Sequence, residues 1–193
     1  MIASLSICDV VPLSYGIETL GNIFSVIIPR NHPYPLNKIK YGFITIEDHQ
    51  TAARFSVFQG ERPLCVDNHF LGEFVVRNLP SKWAGDVTFY VTMKIDENGI
   101  LEVSATEQST GIRKSIEIKD ANGKLYDTQI SEFISKAEIM KRNDENLKET
   151  VEARNKLQLF AYELRHFANE DYPRKFHNEN TRRIVKSIAV VKQ

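Results

Sequence analysis

The chain has 193 residues, of which 42% are hydrophobic, and its 25 basic residues balance its 25 acidic ones. This length suits one well-filled core, or a core with an appendage. Zero net charge argues against a nucleic-acid or anionic-membrane partner, because both call for a basic excess. No apolar run has membrane-spanning length, the start of the chain does not resemble a secretory signal, and there are two cysteines, so we expect a cytoplasmic protein.

The first informative stretch is Asp9–Asn22, with the sequence DVVPLSYGIETLGN. Pro12 favours extended backbone, Gly16 allows a second backbone to come close, and Gly21-Asn22 supplies a sharp turn. Alternation places Ile17 with Thr19 on one face and Glu18 with Leu20 on the other. We predict an irregular sheet edge with free backbone groups, which suits gripping another extended chain.

Apolar segments continue at strand length through the first two-thirds of the chain. They cover residues 24–28, 41–46, 54–59, 74–77, 87–95, 100–105 and 115–118. Phe55, Val57 and Gln59 should share one face, and turn signals stand at residues 96–99 and 122–123. Many short strands at this spacing predict an antiparallel β-sandwich over residues 11–124.

The pattern changes to helical near residue 125. Ile130, Phe133, Ala137 and Met140 recur at helical spacing, and Asn143-Asp144 offers a hinge or a new cap. A second helical stretch is predicted over residues 145–167. The predicted fold class is therefore mainly β followed by α, with a helical domain over residues 125–193.

The sequence offers little for catalysis. Cys65, Asp67 and His69 are close in sequence, but they lie in a polar turn, and a catalytic triad is a spatial arrangement. The histidines show no metal-ligand spacing, and the segment from Asp96 to Gly99 fits a hairpin turn better than a calcium loop. The chain has no glycine-rich phosphate loop. We predict no catalytic residues, no metal and no cofactor.

Several segments carry a family resemblance in unbroken order from about residue 5 to about residue 165. They are DVVPLSYGIETLG, EDHQ, QGER, DN, LG, IDENGIL and VSA. Together they resemble the peptide-binding domain of the seventy-kilodalton heat-shock chaperones. The resemblance implies a sandwich whose loops form a channel for an extended hydrophobic peptide of an unfolded protein, and a helical lid.

The resemblance also implies roles for individual residues. The pocket lining matches Ile17, Phe43, Ala53, Phe55 and Phe89; Leu20 and Ile46 match two side chains that arch over the bound peptide; and Thr19, Ile44, Gln50 and Ala52 match neighbouring channel positions. Asp9 and Arg30 match charged positions that communicate with an ATPase domain. On periodicity alone, most of these apolar residues are better explained as sandwich core.

Departures from the family pattern concern the pocket, the lid and the linker. The pocket positions at Phe55 and Phe89 are usually aliphatic, and Ala53 is usually valine, so we expect a reshaped pocket. A latch between the sandwich and the lid would need an arginine and an acid where Ala84 and Gln158 stand, although Asp48 of that region remains. Residues 1–10 match the family's interdomain linker but with an altered sequence, and the lid, matched by residues 125–193, is expected to be shortened. ATP is expected only in an ATPase domain that this chain lacks.

Two hypotheses from different classes remain open. The first is a non-catalytic chaperone module that holds extended hydrophobic peptides, with an ATPase domain and co-chaperones as further partners. The second is a degenerate regulatory protein that keeps the sandwich and binds chaperone partners instead of client peptides. A hydrolase or lectin built on the same sandwich would rest on fold alone.

Overall fold

The structure is a computed structural model that describes residues 9–119 and 127–170. In these ranges the strands are β1 Tyr15–Thr19, β2 Ile23–Ile28, β3 Leu36–Ile44, β4 Ala52–Gln59, β5 His69–Arg77, β6 Thr88–Ile95, β7 Leu101–Glu107 and β8 Arg113–Ile118, followed by one helix, α1 Asp127–Glu170. The strands form two four-stranded antiparallel sheets, ordered β2-β1-β4-β5 and β3-β6-β7-β8. The chain is thus mainly β and then α, as predicted. The predicted linker and the turn at residues 122–123 fall largely or wholly outside the described residues.

Strand β1 is an interior strand, so the expectation of a free sheet edge at this stretch is wrong. It pairs with β2 on one side and with β4 on the other, where Ile17 faces Val57. Gly16 does permit a close backbone approach, as predicted, because a Cβ atom there would collide with the carbonyl oxygen of Ser25. The sequence of β1 alone does not show that strands pair on both of its sides, because β4 lies more than thirty residues further along the chain.

The two sheets share one core of buried side chains. Phe55, Val57 and Gln59 of β4 are at most 5% exposed, which confirms that they share a buried face. From the other sheet, alternate residues of β6 belong to the same core; Phe89 lies with its ring centroid 5.4 Å from that of Phe55. The Gln59 amide nitrogen donates to the Tyr15 hydroxyl at 3.1 Å, whereas its buried Oε1 accepts no hydrogen bond from the described residues.

Strand β3 begins five residues before the predicted strand and ends two residues earlier. β3 is an edge strand whose neighbour in the sheet is β6. An edge strand tolerates charged side chains, and the first half of β3 carries Lys38 and Lys40. The Lys40 ammonium group donates to the Ser25 hydroxyl and to the Val26 carbonyl, both at 2.9 Å. Charged edge residues hinder pairing with other chains.

The turn between β6 and β7 is a hairpin turn, as predicted. The Asp96 carboxylate accepts hydrogen bonds from the backbone N–H groups of Asn98, at 2.9 Å, and Ile100, at 2.8 Å. Gly99 has a φ of 76°, a left-handed conformation that glycine adopts without steric cost. The Asp96 carboxylate therefore stabilises the turn by accepting hydrogen bonds from its backbone.

The helix α1 is continuous, so the hinge or new cap expected at Asn143-Asp144 is wrong. Asp144 is only 7% exposed and accepts two hydrogen bonds from the Arg62 guanidinium, one of them from Nη2 to Oδ1 at 2.9 Å. These bonds raise the pKa of Arg62. An aspartate held in this way does not compete for the helix backbone. The described chain divides between Lys148 and Glu149 into two compact units.

We predict that Asp144→Asn loosens the first part of α1, because the nearly buried Arg62 would lose its charged partner. Hydrogen exchange at the amides of residues 130–148 should become faster. Glu145→Gln is the matched control, because Glu145 is exposed. Equal exchange in the two variants would contradict a docking role for the ion pair.

Glu107 ends β7 as a nearly buried carboxylate, 1% exposed. Burial alone would raise its pKa, but hydrogen bonds from the backbone N–H and hydroxyl groups of both Ser109 and Thr110 outweigh burial and lower the pKa to about 2. The ionised form is therefore part of the folded structure.

We predict that this carboxylate makes folding stability dependent on pH. The folded pKa of about 2 lies below the ordinary value of 4.5, so the stabilisation is present above about pH 4.5 and is lost as the pH falls towards 2. Glu107→Gln should lower the free energy of unfolding at neutral pH and flatten its decline in that window. Denaturant titrations across pH would measure both, with the exposed Glu97→Gln as control. Parallel pH profiles for parent and Glu107→Gln would refute this assignment.

Candidate functional site

The predicted peptide-binding residues lie towards one end of the two sheets. β1 runs antiparallel to β4, from the end of β4 towards its start: Tyr15 pairs with Gln59, and Ile17 pairs with Val57. In the other sheet, the end of β3 faces the start of β6, where Ile44 pairs with Thr88. Residues 45–51, which we call the arch loop, connect the end of β3 to the start of β4 and so cross from one sheet to the other.

Most predicted pocket residues are core residues in this structure. Ile17, Ala53, Phe55 and Phe89 are between 0% and 9% exposed, and Phe43 packs against the same core. Phe43 also faces Phe89 across the β3–β6 ladder. The structure therefore brings the five residues together, and the core explanation offered by periodicity is confirmed for the four that are buried.

Phe74 is a member of this aromatic group that the sequence did not reveal. Its ring is stacked on that of Phe55 with centroids 5.5 Å apart, because the β4–β5 register places the two residues opposite each other. The rings of Phe55, Phe74 and Phe89 thus form one aromatic group in the core. Residues 74–77 were predicted as a strand, but no local signal in the sequence specifies the register of a cross-strand pair.

The predicted channel residues are more accessible than the pocket residues. Ile46 is 37% exposed in the arch loop, while Leu20, Ile44 and Ala52 are half-buried at strand ends. Thr19 closes the turn after β1, because its hydroxyl donates to the Ile23 carbonyl at 3.2 Å. Apolar side chains therefore lie at the surface on both sheets at this end.

The Gln50 side chain forms hydrogen bonds with the backbone of the arch loop and of the first residue of β4. Its Oε1 accepts from the backbone N–H groups of Ile46, at 3.2 Å, and Glu47, at 3.3 Å, and its Nε2 donates to the Ala52 carbonyl at 2.7 Å. A predicted channel residue is thus engaged with its own loop.

The two positions where the family's latch would lie have other contacts. The Ala84 N–H donates to the Asp48 carboxylate at 3.2 Å, so Asp48 holds a neighbouring loop. Gln158 donates to the Tyr162 hydroxyl at 3.2 Å, within α1. Neither position carries the charged side chain that the latch would need.

The two predicted coupling residues lie on neighbouring segments. The Val11 N–H donates to the His32 carbonyl at 2.9 Å, and the Tyr34 N–H donates to the Asp9 carbonyl at 3.1 Å. Arg30 belongs to the same region, where its N–H donates to the Ser14 hydroxyl at 3.0 Å. Asp9 is exposed and Arg30 is half-buried.

Nucleophilic chemistry at Cys65 is disfavoured by its surroundings. The thiol is fully buried, and burial raises its pKa to about 12, which is the reverse of what an activated thiolate needs. The neighbouring Asp67 is paired with Arg62 at 3.5 Å. Over residues 9–119 and 127–170, no group of three or more His, Cys, Asp or Glu could hold a metal ion. In the same ranges, no helix is both long and apolar enough to span a membrane.

Comparisons with known proteins identify the family of this chain. The family model described as "Hsp70 protein" matches residues 1–193. The chain is 40% identical over 157 residues to ribosome-associated molecular chaperones of the SSB type from Zygosaccharomyces rouxii and Saccharomyces cerevisiae, which covers 81% of the chain and 25% of each relative. It is 41% identical over 158 residues to an SSB-type heat shock protein of Pyricularia oryzae, covering 82% of the chain and 26% of the relative.

The chain therefore spans about a quarter of the length of the curated relatives it matches. The family model covers every residue, and the relatives extend over more than three-quarters of the chain at 40% identity or above. On these grounds the chain belongs to the Hsp70 family of chaperones.

Proposed function

We propose that this chain is a peptide-binding module of an Hsp70 chaperone, in which the two sheets form a sandwich and α1 serves as a lid. The observation that carries the proposal is the exposed Ile46, held in a loop that joins the two sheets at the end where the predicted peptide-binding residues lie. With the half-buried Leu20, Ile44 and Ala52, it places several partly exposed apolar side chains at the same end, and an apolar group of this kind suits the capture of another apolar chain. Its clients would be extended hydrophobic segments of unfolded polypeptides in the cytoplasm, and by analogy with the relatives' names they would include chains still on the ribosome.

Recognition would rest on backbone bonds and a few apolar contacts. A peptide lying between Leu20 and Ile46 would meet apolar tips from both sheets, and its own N–H and C=O groups would pair with strand-end and loop groups. Such recognition tolerates many sequences, because it reads the backbone. The affinity should be modest, about micromolar or about 8 kcal/mol, since short flexible peptides lose much entropy on binding.

The module itself would carry out no catalysis. Capture and release are equilibrium steps in this scheme, and nucleotide-driven exchange would require an ATPase domain acting through the region of Asp9 and Arg30. ATP would therefore be a ligand of that domain and not of this module. Co-chaperones would act on the same larger assembly.

The burial of the pocket positions favours a second candidate. Ile17, Phe55 and Phe89 are at most 5% exposed, so a client side chain would have to displace packed aromatic rings. A protein that had lost the pocket would keep the sheets and bind chaperone partners instead of clients. Peptide binding decides between the two functions.

We predict saturable binding of a fluorescent, leucine-centred extended heptapeptide in roughly the micromolar range. Ile46→Ser should weaken it about 3- to 10-fold, because part of the apolar side chain would be buried by the peptide. Ile39→Ser is the matched control, since Ile39 is 49% exposed on β3, away from the arch loop. No saturable binding, or equal losses in both variants, would remove the peptide-binding proposal and leave the regulatory one.

We also predict that Phe89→Ile combined with Ala53→Val shifts the preferred central side chain of the peptide. Phe89→Ile removes side-chain volume from the proposed pocket and Ala53→Val adds volume at another position, so the shape of the pocket should change. A peptide array read with the parent, the double variant and Ile95→Val would measure this, because Ile95 is a core residue at the far end of β6. Identical preference profiles for parent and double variant would show that these residues do not line the pocket.

A further inference from the structure

The arch loop is joined along its length to a second loop, residues 79–86, which we call the tryptophan loop. Four backbone N–H groups bridge the two loops: Gly85 to the Thr45 carbonyl at 2.9 Å, His49 to the Lys82 carbonyl at 2.7 Å, Leu79 to the Thr51 carbonyl at 3.0 Å and Ala84 to the Asp48 carboxylate at 3.2 Å. These bonds span both ends and the middle of the arch loop. The two loops therefore behave as one layer.

Side chains add a specific contact at the centre of this layer. The His49 ring lies 5.0 Å from the Trp83 ring, centroid to centroid, with the planes tilted by 49°. Its Nδ1 is also 3.0 Å from the Ser81 hydroxyl oxygen. His49 has a φ of 56°, a left-handed conformation that non-glycine residues adopt at a cost and keep only where their surroundings hold them.

The backbone of Ile46 is linked to His49 through one neighbour. The Ile46 N–H is bonded to the side chain of Gln50, and Gln50 directly follows His49 in the chain. A change in the backbone of His49 therefore moves the group that holds Ile46. Trp83, which is half-buried, is the chain's single tryptophan.

We propose that Trp83 and His49 are positioning residues for peptide capture: their ring contact keeps the arch loop closed and holds Ile46 over the site. This inference rests on the proposed peptide-binding function. Neither residue is required to touch the peptide. Weakening the contact lets the loop open more often, so peptide enters and leaves faster, and the release rate rises more than the entry rate because the closed loop holds bound peptide.

The test compares Trp83→Ala and Trp83→Phe with the parent. Stopped-flow release of the fluorescent heptapeptide should be roughly 2- to 10-fold faster in Trp83→Ala, which matches the usual strength of an aromatic pair. Trp83→Phe should release peptide at nearly the parental rate, because it keeps a ring against His49. Phe70→Ala is the matched control: it removes an exposed ring from the Phe58–Phe70 contact, at the opposite end of β4.

A second measurement needs no peptide. Amide exchange at Ile46, Glu47 and His49 should accelerate in Trp83→Ala and stay parental in Trp83→Phe and Phe70→Ala. A merely destabilised fold would accelerate exchange throughout the sheets and lower the bound fraction without raising the release rate.

The outcomes separate this inference from the proposed function. Unchanged exchange in Trp83→Ala, or faster exchange with an unchanged release rate, overturns the positioning role while peptide binding by the parent still stands. Failure of Trp83→Phe to restore release overturns the ring contact as the cause. A parent that binds no peptide overturns both proposals, and the exchange data then describe only how the two loops are joined.

Discussion

Burial of the side chains shared by the two sheets is the interaction on which the rest of the structure depends. Alternate residues of β4 and β6 enter one core, and the rings of Phe55 and Phe89 meet there from different sheets. Each fully buried aliphatic or aromatic side chain contributes about 1.5–3 kcal/mol. That burial fixes the strand ends, and the strand ends in turn fix the loops that carry the candidate site.

The same core places a constraint on function. Phe55 and Phe89 stabilise the sheets through close packing, yet under the proposed function a peptide side chain would enter where they pack. Such a pocket would exchange one apolar contact for another, and its depth would be set by how far the packed rings can move. The Ile46 side chain can contact a peptide without displacing core residues, because it is exposed in the arch loop. Its backbone N–H and that of Glu47 donate to the Gln50 side chain.

The sequence was informative wherever the determining interaction is local. Alternation identified the buried face of β4, and the Asp96–Gly99 signal identified a hairpin turn, because both are set within a few residues. Pairing between distant segments could not be predicted from the sequence. As a result, the prediction that β1 is an edge was wrong, and Phe74 was not predicted as the partner of Phe55. Asp144 was assigned to a hinge for the same reason, since its partner Arg62 is 82 residues away. Which residues touch a peptide stays a prediction, drawn from resemblance and now given a place in the fold.

The most direct test is a map of where peptide binds. Amide chemical shifts of the isotope-labelled chain would be followed while a leucine-centred heptapeptide is added. The account predicts that the largest changes fall on residues 17–20 and 43–53 and that the hairpin at residues 96–100, at the opposite end of β6, is unaffected. Changes centred on that hairpin or on the outer strand β8, or no changes at saturating peptide, would contradict it.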